Sequence, residues 1–265
     1  MININYEETR EELIRKNLYD IQKDLTVKRR NRTAIMSLLV AALVLTLVYG
    51  MLENPFIYTL SNIGNFFTYR YIFIIWSIIT GGTIQIAAII LFKLEKYKTK
   101  YGYFLIGLSA IFLVLTAILP ALKDEFPFFH ILHTFTSGLH ALFLFLALIP
   151  FSIWISQENP RLRLNIYIWT AVIYAGSIVM LVLFQHSALF ELWFFISNIL
   201  YLLYLCMNLF EEAIIKKSVM LLMNEDDLNI AIERLFVNLD KETKRQEEHK
   251  AKEEKKKNSQ IKTKQ

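Results

Sequence analysis

Six stretches of about twenty residues, almost free of charge, dominate this sequence: 34–52, 70–92, 102–121, 128–151, 165–185 and 189–210. Twenty helical residues rise about 30 Å, the thickness of a bilayer's hydrocarbon core. Lipid offers the backbone no hydrogen-bond partner, so an isolated crossing segment must satisfy its own N–H and C=O groups as a helix. The pattern predicts an all-α polytopic membrane protein, a bundle of six transmembrane helices. Composition matters here only through its unevenness. Apolar residues make up 55% of the chain, yet 1–33 and 211–265 are strongly charged, so 34–210 carries the excess. The five prolines (Pro55, Pro120, Pro127, Pro150 and Pro160) are expected at span ends or in loops, where a missing N–H costs little.

Charge orders the segments. The net charge of +5 resides in residues 241–265, which hold ten Lys/Arg against five Asp/Glu; the rest sums to zero. A basic tail beside a membrane serves topology or attraction to anionic lipid, and nucleic acid is not an expected partner. Connections on one side carry Lys28, Arg29, Arg30 and Arg32, then Lys93, Lys96, Lys98 and Lys100, then Arg161 and Arg163. Those on the other side carry only Arg70 and Lys123. Ten against two, alternating throughout, places both termini in the cytoplasm by the positive-inside rule. The polar stretch 6–33 leaves no room for a cleavable leader, so the first span is expected to serve as an anchor. Cys206 is the single cysteine, and no intrachain disulfide is possible.

Three regions follow: an amphipathic, basic segment 1–33, the transmembrane domain 34–210, and a cytoplasmic helix with a basic disordered tail over 211–265. Thr9 and Glu12 fit a capping box, with Ile14, Leu18, Ile21 and Leu25 recurring at helical spacing. Asp226 or Asp227 can start a second helix with Leu228, Ala231, Ile232, Leu235, Phe236 and Leu239 on one face. Such stripes lie on the inner membrane surface, pack together, or dock a protein partner or second copy.

Polar residues inside spans are functional candidates because lipid penalises them. His130, His133, Ser137 and His140 share one face of the fourth span, with Thr134 beside it. His140 lies about 15 Å deeper than His130 at 1.5 Å per residue. His130 and His133, completed by His186 or Glu191, form a candidate zinc set, since imidazoles one turn apart can share a metal. The alternative is that these histidines face water or bond across helices. Haem would need two facing axial histidines, and only His133 with His186 qualifies. Gln85, Asn198, Ser137 and His140 form a polar bundle face suited to interhelical hydrogen bonds. No cofactor is predicted, with zinc as the exception to test. No Walker loop, HExxH, GxSxG or Rossmann fingerprint occurs.

The run Tyr58-Thr59-Leu60-Ser61-Asn62-Ile63-Gly64 after the first span resembles the S-x-[LI]-G loop of a six-helix bacterial membrane family catalogued as domain of unknown function 998. Arg70–Trp76 opening the second span, His130 and His133 opening the fourth, and Leu189-Phe190-Glu191 before the sixth are compatible with it. The resemblance covers about 34–210 and implies architecture and a plasma-membrane location, without an activity. In its loop motif Ser61 and Asn62 can cap or turn the chain, and Gly64 admits a positive φ.

Three functional readings stand on the sequence. The first is a non-enzymatic membrane protein acting through lipid, small-ligand or protein contacts. The second is a metal-dependent hydrolase acting on lipid at the outer leaflet through His130, His133, His186 and Glu191. The third is a small transporter, for which Gly81-Gly82-Thr83 with Gln85 is the only sign of an interrupted span.

Overall fold

The computed structural model describes residues 6–184 and 187–223, with side chains over 19–184 and 187–219. His186, the helix predicted after Asp226 or Asp227, and the basic tail lie outside the described residues, as do the side chains of Thr9, Glu12, Ile14 and Leu18. Among the described residues every regular element is helical: α1 Tyr6–Gly50, α2 Leu60–Phe66, α3 Arg70–Leu94, α4 Lys100–Ile118, α5 Pro127–Glu158, a 3-10 turn Pro160–Leu162, α6 Arg163–Phe184 and α7 Ala188–Met223. Six of these, all but α2 and the 3-10 turn, are long and apolar enough to cross a membrane. The protein is a multi-pass membrane protein.

The chain divides into two compact units, 27–213 and a smaller one joining 1–26 to 214–265. Within the smaller unit, Lys217 Nζ lies 2.7 Å from Asp24 Oδ2. Ile21 and Leu25 are half-buried, as is Ile214, so part of the α1 stripe is covered there.

In the larger unit, residues four and three apart on α1 (Ile35, Leu39, Ala42, Thr46 and Tyr49) are buried, the spacing of one helical face. That face meets α3 where Tyr49 stacks on Trp76, with ring centroids 4.9 Å apart. On α7, Phe195, Ile199, Leu202, Leu205, Cys206 and Leu209 are buried. α6 buries only Ile166, Ile173 and Ser177, which leaves most of its surface to lipid. Burying an apolar side chain against protein gains little over burying it in lipid tails, so the bundle depends on close packing and hydrogen bonds. Gly81 shows this, since a Cβ there would overlap the side chain of Leu113 on α4.

Three readings are corrected. Pro150 is not at a span end: α5 continues through it to Glu158, because losing one rung and one N–H is tolerated where the flanking turns are packed. Residues 60–66 of the first connection are not open loop but helix α2. Gly64 has no positive φ; the positive values belong to Thr68 (64°) and Lys96 (55°). Gly64 is instead a contact residue, where a Cβ would stand 2.5 Å from Phe73 Cβ and 3.0 Å from the Tyr49 hydroxyl.

Candidate functional site

One polar cluster of the larger unit lies at the end where three connections meet. The backbone N–H of Ala188, opening α7, donates to Pro55 O at 3.0 Å and Tyr58 O at 2.7 Å. These bonds seat the stretch before α2 on the start of α7. Glu191, one turn further along, extends a carboxylate to the N-terminus of α2, where Leu60 N donates to its Oε2 at 2.5 Å. A helix N-terminus presents unpaired N–H groups and a partial positive charge, so a carboxylate is well placed there.

Thr59 is the N-cap of α2, its Oγ1 accepting from Asn62 N at 3.1 Å. Ser61 and Asn62, read as able to cap, do not: Ser61 Oγ lies 3.0 Å from the Thr59 hydroxyl, and Asn62 supplies the backbone N–H. The far side of α2 is held by Arg70, which donates to Asn65 Oδ1 at 2.5 Å and to Ile118 O at the end of α4. Asn65 donates in turn to Ser61 O at 2.7 Å. Tyr49 closes the set from α1, its hydroxyl donating to Leu60 O at 2.8 Å. Glu191 at the N-terminus and Arg70 towards the C-terminus follow the sense of the helix dipole. The result is a short helix clamped across α1, α3, α4 and α7.

His130 and His133 stand at the same end and serve the connection 119–126. His130 Nδ1 lies 2.8 Å from Ala121 O, and His133 Nδ1 lies 3.2 Å from Leu119 O. A carbonyl oxygen only accepts, so each Nδ1 carries a proton, and in the neutral imidazole Nε2 then holds the lone pair. The His133 ring centroid is 6.4 Å from that of Phe73 on α3. Glu191 is engaged with α2. Among the described residues no three His, Cys, Asp or Glu side chains stand together as a metal shell. His186, the remaining member of the zinc set, lies outside them.

The deeper polar face of α5 is His133, Thr136 and His140, all buried, rather than Thr134, which is exposed; Ser137 is half-buried at its edge. Thr136 accepts from Thr116 at 2.9 Å, and His140 Nδ1 meets Ser109 O at 3.0 Å. Thr46 and Thr80 approach to 3.4 Å between α1 and α3, and Trp76 Nε1 donates to Thr46 at 3.2 Å. Asn198 is fully buried and donates to Phe194 O at 2.8 Å on its own helix. Gln85 is buried on α3.

Towards the opposite end, Ser152 and Tyr201 hydroxyls lie 2.6 Å apart, and Asn159 donates its amide to both Glu212 oxygens at 2.8 and 2.9 Å. Of the polar set, the sequence does not point to Tyr49, Thr46 or Ser109, and it presents Thr59 and Arg70 only as motif and charge positions. Thr59 had a readable signal, a hydroxyl two residues before Ser61 at the start of a helix-length run. The others depend on which helices are neighbours.

No curated protein and no solved structure matches this chain. A family model does, described as a protein of unknown function (DUF998), and it matches residues 30–208. The match takes in the six spans, the clamped α2 with its Gly64, both end histidines of α5 and Glu191, and stops short of the outer parts of α1 and α7. The chain belongs to the DUF998 family.

Proposed function

We propose that this protein is a non-enzymatic component of the cell membrane that works through contacts, with lipid along its spans and with a protein partner or a second copy through the cytoplasmic parts of its first and last helices. In this reading both termini are cytoplasmic and the α2 clamp faces outward. One observation carries it: the carboxylate, the guanidinium and one nitrogen of each imidazole at the histidine end are engaged with the protein's own backbone. Glu191 accepts from Leu60 N. Arg70 donates to Ile118 O, and His130 and His133 meet the carbonyls of Ala121 and Leu119. A carboxylate that leaves backbone donors to hold a metal strands buried N–H groups, which disfavours that use of it. The same bonds make a rigid end, which suits a surface that presents itself rather than one that turns over substrate.

Metal analysis of the purified protein, paired with a phospholipid hydrolysis assay, tests this reading. The expected result is no stoichiometric metal and no turnover. About one zinc per chain, lost together with hydrolysis in His133→Ala, would establish the hydrolase instead.

A further inference from the structure

One layer further into the bundle, two buried side chains each keep one nitrogen without a partner among the described residues. His140 is 5% exposed and Gln85 is 6% exposed. His140 Nδ1 lies 2.8 Å from Ser109 Oγ and 3.0 Å from Ser109 O, and Ser109 Oγ donates to His140 O at 3.1 Å. A carbonyl only accepts and the hydroxyl proton is engaged with His140 O, so the proton between them belongs to Nδ1. With the proton held on Nδ1, Nε2 presents a lone pair to the interior. That nitrogen and the Gln85 amide nitrogen are both buried without a hydrogen-bond partner. One is an acceptor and the other a donor.

The helix register brings them to the same layer. α3 and α4 are antiparallel neighbours, with Gly81 against Leu113. One turn along each helix, in opposite directions, pairs Gln85 with Ser109. Two turns further the same register pairs Phe92 with Gly102, whose Cβ would stand 2.9 Å from the Phe92 ring. Ser109 is the residue that holds His140. The Cα–Cβ bond of Gln85, as in any helix, tilts towards the N-terminus of α3, which is the direction of the histidine end. Phe194 and Phe195 wall the imidazole, with ring centroids 6.4 and 6.5 Å away.

We propose that this layer binds a single hydroxyl group, which donates its proton to His140 Nε2 and accepts a hydrogen bond from the Gln85 amide. The pairing selects the ligand. A cation would meet the amide N–H protons, and an anion would meet the imidazole lone pair. An O–H satisfies both with one oxygen. Its source is either an internal water or the alcohol hydroxyl of a lipid, and both offer the same chemistry at this point. The site stands apart from the contact-based function proposed above and does not depend on it.

The test is a double-mutant cycle on the full chain in detergent, read as melting temperature. If a hydroxyl bridges the two groups, Gln85→Met and His140→Phe each strand the other's partner and lower Tm by about 2–4 °C. The double variant then falls by less than the two shifts combined. Additive shifts, or a rise in Tm with either single change, would overturn the proposal, because deleting an unbridged buried polar group relieves its desolvation penalty. Nitrogen-15 NMR of the unaltered protein gives a readout independent of variant folding: a hydrogen-bonded Nε2 is expected, and a bare one refutes the site. Native mass spectrometry separates the sources. A retained hydroxyl lipid lost in Gln85→Met assigns lipid, and an unchanged mass with the same thermal cycle assigns water.

Discussion

Gly64 and Glu191 show how single residues decide the histidine end. Glycine at 64 is required by proximity, since its place against Phe73 and Tyr49 has no room for a methyl group. Gly64→Ala is therefore expected to destabilise by about 1–3 kcal/mol, the usual cost of overpacking. Gly82→Ala is the control: nothing lies within 4 Å of its Cβ position, so alanine's better helix propensity makes it neutral or mildly stabilising. Thermal unfolding in detergent, followed by size-exclusion chromatography, measures both. At Glu191 the chemistry is acceptance from Leu60 N. Glu191→Gln retains an oxygen there and should lose little. Glu191→Ala leaves a buried donor unpaired, at about 1–3 kcal/mol, and a thermal melt should rank wild type and Gln together above Ala.

At the scale of elements, α2 is too short to be stable alone, since isolated helices under about 12 residues are marginal in water. Its seven residues persist because Thr59, Glu191, Tyr49 and Arg70 hold it from outside. Removing the cap with Thr59→Ala should cost about 1 kcal/mol. Because Thr59 and Glu191 serve the same helix end, the double Ala variant should fall short of additivity. Maleimide labelling of an Asn62→Cys reporter, faster in each variant, reads the loosening of α2 directly. The ion pair between Lys217 and Asp24 belongs to a different class. Both partners are partly exposed, at 33% and 38% of their side chains, so Asp24→Asn should change stability by under about 1 kcal/mol, and less at high salt.

For the whole molecule the testable property is direction. The lysine and arginine asymmetry argues that 93–100 and 161–163 face the cytoplasm. A reporter enzyme fused after Gln265 should be active only in its cytoplasmic form, and one inserted at Lys123 only in its exported form. The reverse pattern would move the α2 clamp inward and remove the outward-facing reading. The six-helix architecture does not depend on that outcome, because span length and backbone satisfaction are independent of sign.

Span number and helical class were legible in the sequence, because each is dictated locally. A lipid-crossing segment must be apolar, long enough and helical whatever its neighbours are. The family was legible from a short motif for a related reason, since the residues of 58–64 are consecutive. Tertiary structure decided the meaning of that motif. Gly64 is read from the sequence as a turn residue and is instead the close contact with Phe73, a residue on another helix. Likewise the helical spacing of His130 and His133 is read from the sequence, but that each Nδ1 meets a carbonyl in 119–121 depends on how that connection folds back. Glu191 lies 131 positions from Leu60, and no local pattern can foretell such a pairing. Periodicity states which face a residue lies on; only the packing of helices states what that face meets.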